Sequence, residues 1–192
     1  MVTKIGITGG AGFIGSNLAS KISKQYEVLI LDNFSTGRRG YLKDIKCHVR
    51  DVELSDASET IDSTKDLDVI FHLAASGNVV ESINDPITNF NNNVLTTLNI
   101  LEAARVNGIK RLIFSSTGGA LMGKASPPVD EATQPAPISP YGASKLACES
   151  YIKVYAECYG LCYVIFRFGN VIGANSAHKK GVINTFYKQI KA

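Results

Sequence analysis

The sequence predicts an α/β fold in which a doubly wound parallel sheet carries helices on both faces. Two observations lead to this prediction: apolar segments of strand length alternate with helical segments, and the apolar segments are continuous rather than interrupted by polar residues. Strands that are apolar throughout are buried on both faces, as in parallel sheets. A third observation, a glycine-rich turn between the first strand and the first helix, is typical of such folds.

Short apolar runs predict six strands, which cover residues 2–8, 27–32, 46–51, 66–75, 109–117 and 161–168. Helical spacing and terminal signals predict five helices, which cover residues 13–26, 53–61, 85–108, 139–160 and 181–192. The third helix illustrates these signals, because Asp85 and Pro86 suit its start and Gly108 suits its end. The proline-rich segment 126–140 is the only long stretch predicted to be irregular.

The composition indicates an ordinary globular chain and excludes several classes of protein. Of the 192 residues, 45% are hydrophobic and 19% are charged, and the net charge of +3 (20 basic minus 17 acidic) predicts no nucleic-acid partner. No apolar run approaches the roughly 18 residues of a membrane span, and no signal peptide is recognisable, so we expect a cytoplasmic protein. We expect the cysteines to be reduced and buried, without a metal site; they are Cys47, Cys148, Cys158 and Cys162.

The glycine-rich turn "TGGAGFIG" predicts a site for a dinucleotide phosphate. Gly9 would permit the tight turn, Gly12 would let the backbone approach the phosphate, and Gly15 would let helix and strand pack closely. The helix N-terminus would then face the anion. Asp32 ends the second strand, where a carboxylate binds ribose hydroxyls and repels a 2′-phosphate, so NAD is favoured over NADP. Arg38 and Arg39 lie further along the loop and are discounted as phosphate ligands.

The segment "YGASK" predicts an acid–base pair. Tyr141 and Lys145 are four residues apart on a predicted helix and therefore share one face. A neighbouring ammonium favours the phenolate and should lower the pKa of Tyr141, which suits proton abstraction from a sugar hydroxyl. The fifth strand ends nearby in Ser115, Ser116 and Thr117. His72, by contrast, is expected to be a hydrogen-bonded core histidine rather than a catalyst.

Seven motifs together resemble the extended short-chain dehydrogenase/reductase superfamily, and within it the UDP-glucose/UDP-galactose 4-epimerases. They are "TGGAGFIG", "DNFSTG", "HLAA", "NNNV", "FSSTGGALMG", "YGASK" and "RFGNVIG". The resemblance extends over essentially the whole chain. It implies an NAD(P)-binding Rossmann fold and a bound NAD that takes hydride from C4 of the sugar and returns it to the other face of a 4-keto intermediate.

The resemblance also implies a role for each matching residue. The implied cofactor-binding residues are Gly9, Gly12, Phe13, Ile14 and Gly15 at the pyrophosphate, Asp32, Asn33, Ser35, Thr36 and Gly37 at the adenosine ribose, Asp51 and Val52 at the adenine, and Leu73, Ala74, Ala75, Asn93, Ser115, Tyr141, Lys145 and Phe168 along the remainder. The implied catalytic residues are Tyr141, Lys145 and Thr117, with Ser116 as the alternative to Thr117, and Asn170 is implied to contact the substrate diphosphate.

The sequence departs from the family pattern at three points. Met122 stands where the family has a tyrosine near the substrate, which leaves the choice of sugar open. Gly118 and Gly119 follow Thr117 where the 4,6-dehydratases carry acids, so a dehydratase is disfavoured. The family continues beyond the length of this chain, so residues 1–175 are expected to form the NAD-binding domain and residues 176–192 to begin a largely missing substrate domain, with weak turnover as the consequence.

Two further interpretations stay open beside the UDP-galactose/UDP-glucose 4-epimerase. One is another nucleotide-sugar epimerase or reductase, and the other is a non-catalytic NAD-binding protein. The resemblance also implies a homodimer built from the two long helices, with Leu146, Tyr151 and Val154 as apolar contacts. No membrane association is expected.

Overall fold

The structure, a computed structural model, describes residues 3–176, 186, 189 and 190, so most of the predicted C-terminal helix lies outside the described residues. Six strands form one parallel sheet in the order β3-β2-β1-β4-β5-β6. They are β1 (Lys4–Thr8), β2 (Glu27–Asp32), β3 (His48–Asp51), β4 (Val69–His72), β5 (Arg111–Thr117) and β6 (Cys162–Phe168). The predicted parallel α/β sheet is confirmed.

This strand order creates a cleft at one edge of the sheet. The chain passes from β1 outward to β2 and β3, and then crosses back to β4 on the other side of β1. Loops that leave β1 and β4 therefore turn in opposite directions. The crevice outside the carboxyl ends of these strands is where open α/β sheets bind ligands. The candidate site should lie there.

The helices cover both faces of the sheet. They are α1 (Phe13–Ile22), α2 (Ala57–Ser63), α3 (Val79–Asn84), α4 (Pro86–Phe90), α5 (Thr96–Asn107), α6 (Gly119–Met122) and α7 (Pro140–Tyr159), with a 3₁₀ turn at Arg39–Leu42. Two hydrophobic clusters fill the layers. One cluster, which contains Ile100 and Phe114, lies between the sheet and the helices α5 and α7. The other, which contains Ile7 and Ala19, lies between the sheet and α1.

The predicted helix over residues 85–108 is confirmed, with one change of geometry. Residues Asn91–Leu95 form a π-helical turn between α4 and α5. Such turns occur mostly as single insertions and often at functional sites. The 3.6-residue apolar spacing used in the sequence analysis cannot reveal one. The short helices α3 and α6 were also not predicted, because six and four residues are too few to show a helical period.

The expectation of buried cysteines is wrong for two of the four. Cys148 is buried and Cys47 is partly buried, but Cys158 and Cys162 are exposed. Cys158 lies on the outer side of the last turns of α7, and Cys162 begins β6, which is the edge strand. Among the residues that the structure describes, no helix combines the length and apolarity that a bilayer span needs.

Candidate functional site

A cleft of about 400 Å³ lies at the carboxyl ends of β1, β2 and β4. Fourteen of the residues predicted to bind cofactor line it: Gly9, Gly12, Phe13, Ile14, Gly15, Asp32, Asn33, Ser35, Thr36, Gly37, Val52, Leu73, Ala74 and Ala75. The sequence analysis did not select six further lining residues, which are Leu31, Glu53, Leu54, Ser76, Asn92 and Thr96. The size suits a small-molecule ligand.

The glycine-rich turn forms one wall of the cleft, and side chains would obstruct it at two positions. Gly9 has a φ of +64°, and a Cβ there would lie 2.7 Å from the backbone nitrogen of Ala74. A Cβ on Gly15 would lie 2.5 Å from the carbonyl oxygen of Gly9 and 2.6 Å from the Cα of Gly10. The turn therefore packs directly against the start of α1 and leaves room above it for a ligand.

Asp32 is buried at the end of β2 and organises the loops around it. Its Oδ2 accepts a hydrogen bond from the backbone nitrogen of Ala11 at 2.8 Å, and its Oδ1 accepts one from Phe34 at 2.8 Å. A Cβ on Gly37 would lie 2.7 Å from the same Oδ1. Asp32 thus ties the glycine-rich turn to the loop after β2 and places a carboxylate at the rim of the cleft.

Two polar pairs flank Asp32. Asn33 donates a hydrogen bond to Glu53 at 2.8 Å, and both residues line the cleft. This hydrogen bond, the largest influence, lowers the pKa of Glu53, so a second carboxylate stays ionised there. Arg39 instead binds the exposed Asp51 at 2.8 Å and stacks on the Phe34 ring at 3.8 Å. Asp51, which was predicted to lie near the adenine, does not line the cleft and forms an ion pair with Arg39.

The structure brings Tyr141, Thr117 and Lys145 together at the carboxyl end of β5. Ser139 caps the start of α7 by accepting from Gly142 at 3.2 Å, and Tyr141 follows in the first turn. The Tyr141 hydroxyl hydrogen-bonds with the Thr117 side chain and faces Gly77, where a Cβ would lie 3.7 Å away. Lys145 lies one turn further, 2% exposed, and donates to the carbonyl oxygen of Ser115 at 2.8 Å.

The expected lowering of the Tyr141 pKa by Lys145 is wrong for this arrangement. Burial raises the pKa of Tyr141, and its hydrogen bond with Thr117 opposes that rise only in part. The Lys145 ammonium is directed at Ser115 and lies 4.5 Å above the Phe114 ring instead. Burial lowers the pKa of Lys145 to about 8. The Thr117 hydroxyl is thus the group that favours the phenolate here.

Ser116, the alternative to Thr117, is engaged elsewhere. Its hydroxyl is buried and donates to Glu149 Oε1 at 2.6 Å. Arg167 binds the same carboxylate through two nitrogens, at 3.1 and 2.8 Å, and also donates to the carbonyl oxygen of Glu131. Burial raises the pKa of Glu149, but the hydrogen bonds from Arg167 and Ser116 outweigh it and the net pKa is lowered. Thr117, not Ser116, accompanies Tyr141.

Several other predicted residues lie away from the cleft lining. Asn93 is 1% exposed, and its side-chain amide accepts from the backbone nitrogen of Ser76 and donates to the backbone oxygen of Ser76, so it braces the cleft wall from behind. Ser115 donates to the carbonyl oxygen of His72 at 3.2 Å. Phe168 stacks on Phe166 at the sheet edge.

Two of the positions considered in the sequence analysis concern the substrate rather than the cofactor. Asn170 is exposed beyond the end of β6. Met122 is 7% exposed and packs into the interior at the end of α6. Its thioether therefore offers no polar group to a sugar.

The comparisons with known proteins agree with this geometry. Residues 5–192 match the family described as "NAD dependent epimerase/dehydratase family". A putative UDP-glucose 4-epimerase of Methanocaldococcus jannaschii is 43% identical over 185 residues, which are 94% of this chain and 60% of the relative.

Solved structures are similar over the same region. The UDP-glucose 4-epimerase of Thermus thermophilus in complex with NAD has a TM-score of 0.87 at 38% identity, over 93% of this chain and 59% of that one. The UDP-N-acetylglucosamine 4-epimerase of Methanobrevibacter ruminantium in complex with UDP-N-acetylmuramic acid has a TM-score of 0.92 at 34% identity, over 99% of this chain and 63% of that one. The chain thus spans about three fifths of the length of these proteins.

Proposed function

Since the chain belongs to the NAD dependent epimerase/dehydratase family, we propose that it is the NAD-binding and acid–base part of a UDP-glucose 4-epimerase. The observation that carries this proposal is that two features of the structure lie next to each other. A glycine-lined cleft with a carboxylate at its rim has a wall that ends at Ser76, and the next residue, Gly77, faces the hydroxyl of Tyr141. Thr117 and Lys145 lie in the same cluster as Tyr141. A dinucleotide site next to an acid–base pair is what reversible oxidation of a sugar hydroxyl requires.

The cleft fits NAD on the evidence of its own residues. Gly9 and Gly15 leave no room for side chains in a turn that approaches the start of α1, as a pyrophosphate site requires. Asp32 and Glu53 supply carboxylates for ribose hydroxyls, and both would repel a 2′-phosphate. Arg39 is occupied by Asp51 and Phe34. NAD is therefore favoured over NADP.

Tyr141 is the proposed acid–base group. Its hydroxyl would take the proton from the sugar 4-hydroxyl and later give it back, while Thr117 would hydrogen-bond the same sugar oxygen. Bound NAD would supply the hydride acceptor and donor. Lys145 would hold the ribose of the nicotinamide, as the family resemblance implies, and because its pKa is about 8 it is mostly charged at pH 7.

The substrate is proposed to be UDP-galactose or UDP-glucose, and the substrate diphosphate to contact Asn170. The similarity to a UDP-N-acetylglucosamine 4-epimerase supports another UDP-sugar as the alternative. A nucleotide-sugar reductase would consume the reduced cofactor and change the absorbance at 340 nm, whereas epimerisation leaves no net change. A non-catalytic NAD-binding protein would keep NAD affinity without turnover.

A homodimer is proposed through α4, α5 and α7. Large apolar side chains are exposed on these helices, among them Ile87 at 70%, Phe90 at 52% and Val154 at 52%. Tyr151 is also exposed, whereas Leu146 is partly buried. The division into an NAD-binding domain over residues 1–175 and a substrate region from residue 176 stays a proposal, as does the cytoplasmic location.

Replacing Tyr141 by phenylalanine tests the proposed function. The chain is incubated with NAD and UDP-galactose, and UDP-glucose is quantified by chromatography. Removing the acid–base group should lower the rate by about 10²- to 10⁴-fold, while the dissociation constant for NAD changes little. Tyr159→Phe, an exposed tyrosine on the same helix, is the matched control. Measurable and equal rates for wild type and Tyr141→Phe would contradict the proposal.

A further inference from the structure

The cleft wall after β4 is held at its start by one threonine. The backbone nitrogens of Leu73 and Ala74 donate to Thr8 Oγ1 at 3.1 and 3.2 Å. Thr8 ends β1 and has no solvent exposure. Both amides belong to residues that line the cleft. The position of this wall therefore depends on where the Thr8 oxygen is held.

The same wall is held at its other end by two asparagines. Asn93 accepts from the Ser76 nitrogen at 2.9 Å and donates to the Ser76 oxygen at 3.1 Å. Asn89 donates to the same oxygen at 3.1 Å and accepts from Ser144 on α7 at 3.1 Å. The π-helical turn contains Asn93, while Asn92 and Thr96 from that region face the cleft.

A line of buried hydrogen bonds joins the two ends. His72 Nδ1 lies 2.7 Å from Thr8 Oγ1, and His72 Nε2 lies 3.0 Å from Thr97 Oγ1. Thr97 in turn donates to the carbonyl oxygen of Asn93 at 2.6 Å. Thr8, His72, Thr97 and Asn93, which we call the neutral chain, are each at most 2% exposed.

The direction of every proton in the neutral chain follows from counting donors and acceptors. The Leu73 amide is shared between the hydroxyl and carbonyl oxygens of Thr8, at 3.1 and 3.2 Å, and the Ala74 amide donates to the hydroxyl oxygen at 3.2 Å. With its oxygen accepting in this way, the Thr8 hydroxyl has His72 Nδ1 as the acceptor for its single proton. His72 then carries its proton on Nε2 and donates it to Thr97. The Thr97 proton is committed to the Asn93 carbonyl. All four groups are satisfied only when His72 is neutral.

We propose that the neutral chain positions the NAD-binding wall Leu73–Ser76, with His72 held as its Nε2-protonated tautomer and Thr97 as the link to the π-helical turn. This inference rests on the proposed binding of NAD in the cleft. His72 and Thr97 are positioning residues, since neither lines the cleft. Burial, with a smaller contribution from Lys145, lowers the pKa of His72 to about 3, in agreement with a neutral ring.

Substitution of Thr97 tests the positioning role by NAD titration in a calorimeter. Thr97→Val keeps the shape but removes the acceptor for His72 and the donor to Asn93, and it should weaken NAD binding by about tenfold or more. Thr97→Ser keeps the hydroxyl and should restore binding to within about threefold. Thr64→Val is the matched control. Thr64 is equally buried and also accepts one bond and donates one, but it directly follows the last residue of α2 and does not line the cleft.

An unchanged NAD affinity in Thr97→Val would overturn the positioning role, as would an equal loss in Thr64→Val. The tautomer of His72 is tested in a separate experiment on the wild-type protein, by nitrogen-15 NMR of its 3 histidines. We expect His72 to show an unprotonated Nδ1 and a protonated Nε2 from pH 5 to pH 8. A protonated Nδ1 would overturn the proposal even if Thr97→Val fails to fold. A wild-type chain that does not bind NAD would refute the proposed function, while the tautomer measurement would still decide the order of the hydrogen bonds.

Discussion

Two buried polar clusters flank the candidate catalytic residues, and they are built on opposite principles. The neutral chain supports the cleft wall with four uncharged groups and no formal ion. The second cluster, which we call the ionic cluster, consists of Ser116 on β5, Glu149 on α7 and Arg167 on β6. Both satisfy their polar atoms, and among the described residues no buried side-chain nitrogen or oxygen lacks a partner.

The difference determines how each cluster fails. In the neutral chain each hydrogen bond has one donor and one acceptor. A second proton on His72 would sit on Nδ1 and point at the Thr8 hydroxyl proton, so two donors would face each other. In the ionic cluster the charges compensate each other, so the loss of one partner leaves the other buried and unpaired. We therefore expect low pH to destabilise the neutral chain, and we expect truncation of one side chain to destabilise the ionic cluster.

Truncation of the ionic cluster has the largest expected effect. The side chains of Glu149 and Arg167 are only 2% and 16% exposed. Arg167→Ala would leave the carboxylate with Ser116 as its hydrogen-bond partner and without a directly bonded cation. It should lower the free energy of unfolding by about 3 kcal/mol at pH 7, measured by urea denaturation. The cost arises because a buried charge loses its counter-ion.

The control for this variant is Lys65→Ala, which breaks the exposed ion pair with Asp62. Exposed pairs of this kind contribute little, so its unfolding midpoint should stay near that of wild type. Adding Glu149→Gln to Arg167→Ala should recover part of the loss, because the unpaired charge is then removed. If Arg167→Ala were no more destabilising than Lys65→Ala, the ionic cluster would not stabilise the fold.

Acid should weaken the neutral chain by a smaller and graded amount. The pKa of His72 is about 3 in the folded protein against 6.5 in the unfolded chain, so the unfolded state gains a proton first. The contribution of His72 to stability is complete well above pH 6.5 and falls by about 1.4 kcal/mol per pH unit below about pH 6. Urea denaturation at pH 6.0, 5.5 and 5.0 measures this slope.

The matched variant is His72→Gln, which cannot titrate in this range. Carboxylates are largely ionised down to pH 5, so the difference in slope between wild type and variant isolates His72. Identical slopes for both proteins would mean that His72 is protonated in the folded state and that the neutral chain does not have the assigned order.

Local sequence signals were sufficient for the six strands and the longer helices, but not for the short helices α3 and α6 or the π-helical turn. The apolar run at Glu27–Asp32 predicted β2 at its observed bounds. Gly108 and Gly160 end α5 and α7 with φ of +70° and +67°, as expected of C-terminal glycines. The glycine-rich turn and Asp32 lie in one cleft because their spacing belongs to a single β-α-β unit.

The supporting contacts could not be predicted in the same way. Thr8 and His72 are 64 residues apart and Ser116 and Glu149 are 33 apart, and neither pair follows from a local period. Asn93 was expected in the cofactor site, but the π-helical turn presents it to Ser76 while Asn92 faces the cleft. Glu53 was missed because a single carboxylate after a strand carries no distinguishing pattern.

The central claim, that NAD binds in the glycine-lined cleft, is tested most directly by calorimetric titration of NAD into wild type, Gly15→Ala and Gly40→Ala. A Cβ on Gly15 would lie 2.5 Å from the Gly9 carbonyl oxygen, whereas one on Gly40 would have no neighbour within 4 Å. We predict one NAD per chain for wild type and Gly40→Ala, and a loss of affinity of about tenfold or more for Gly15→Ala. Equal affinity in all three proteins, or no binding by any of them, would contradict the account.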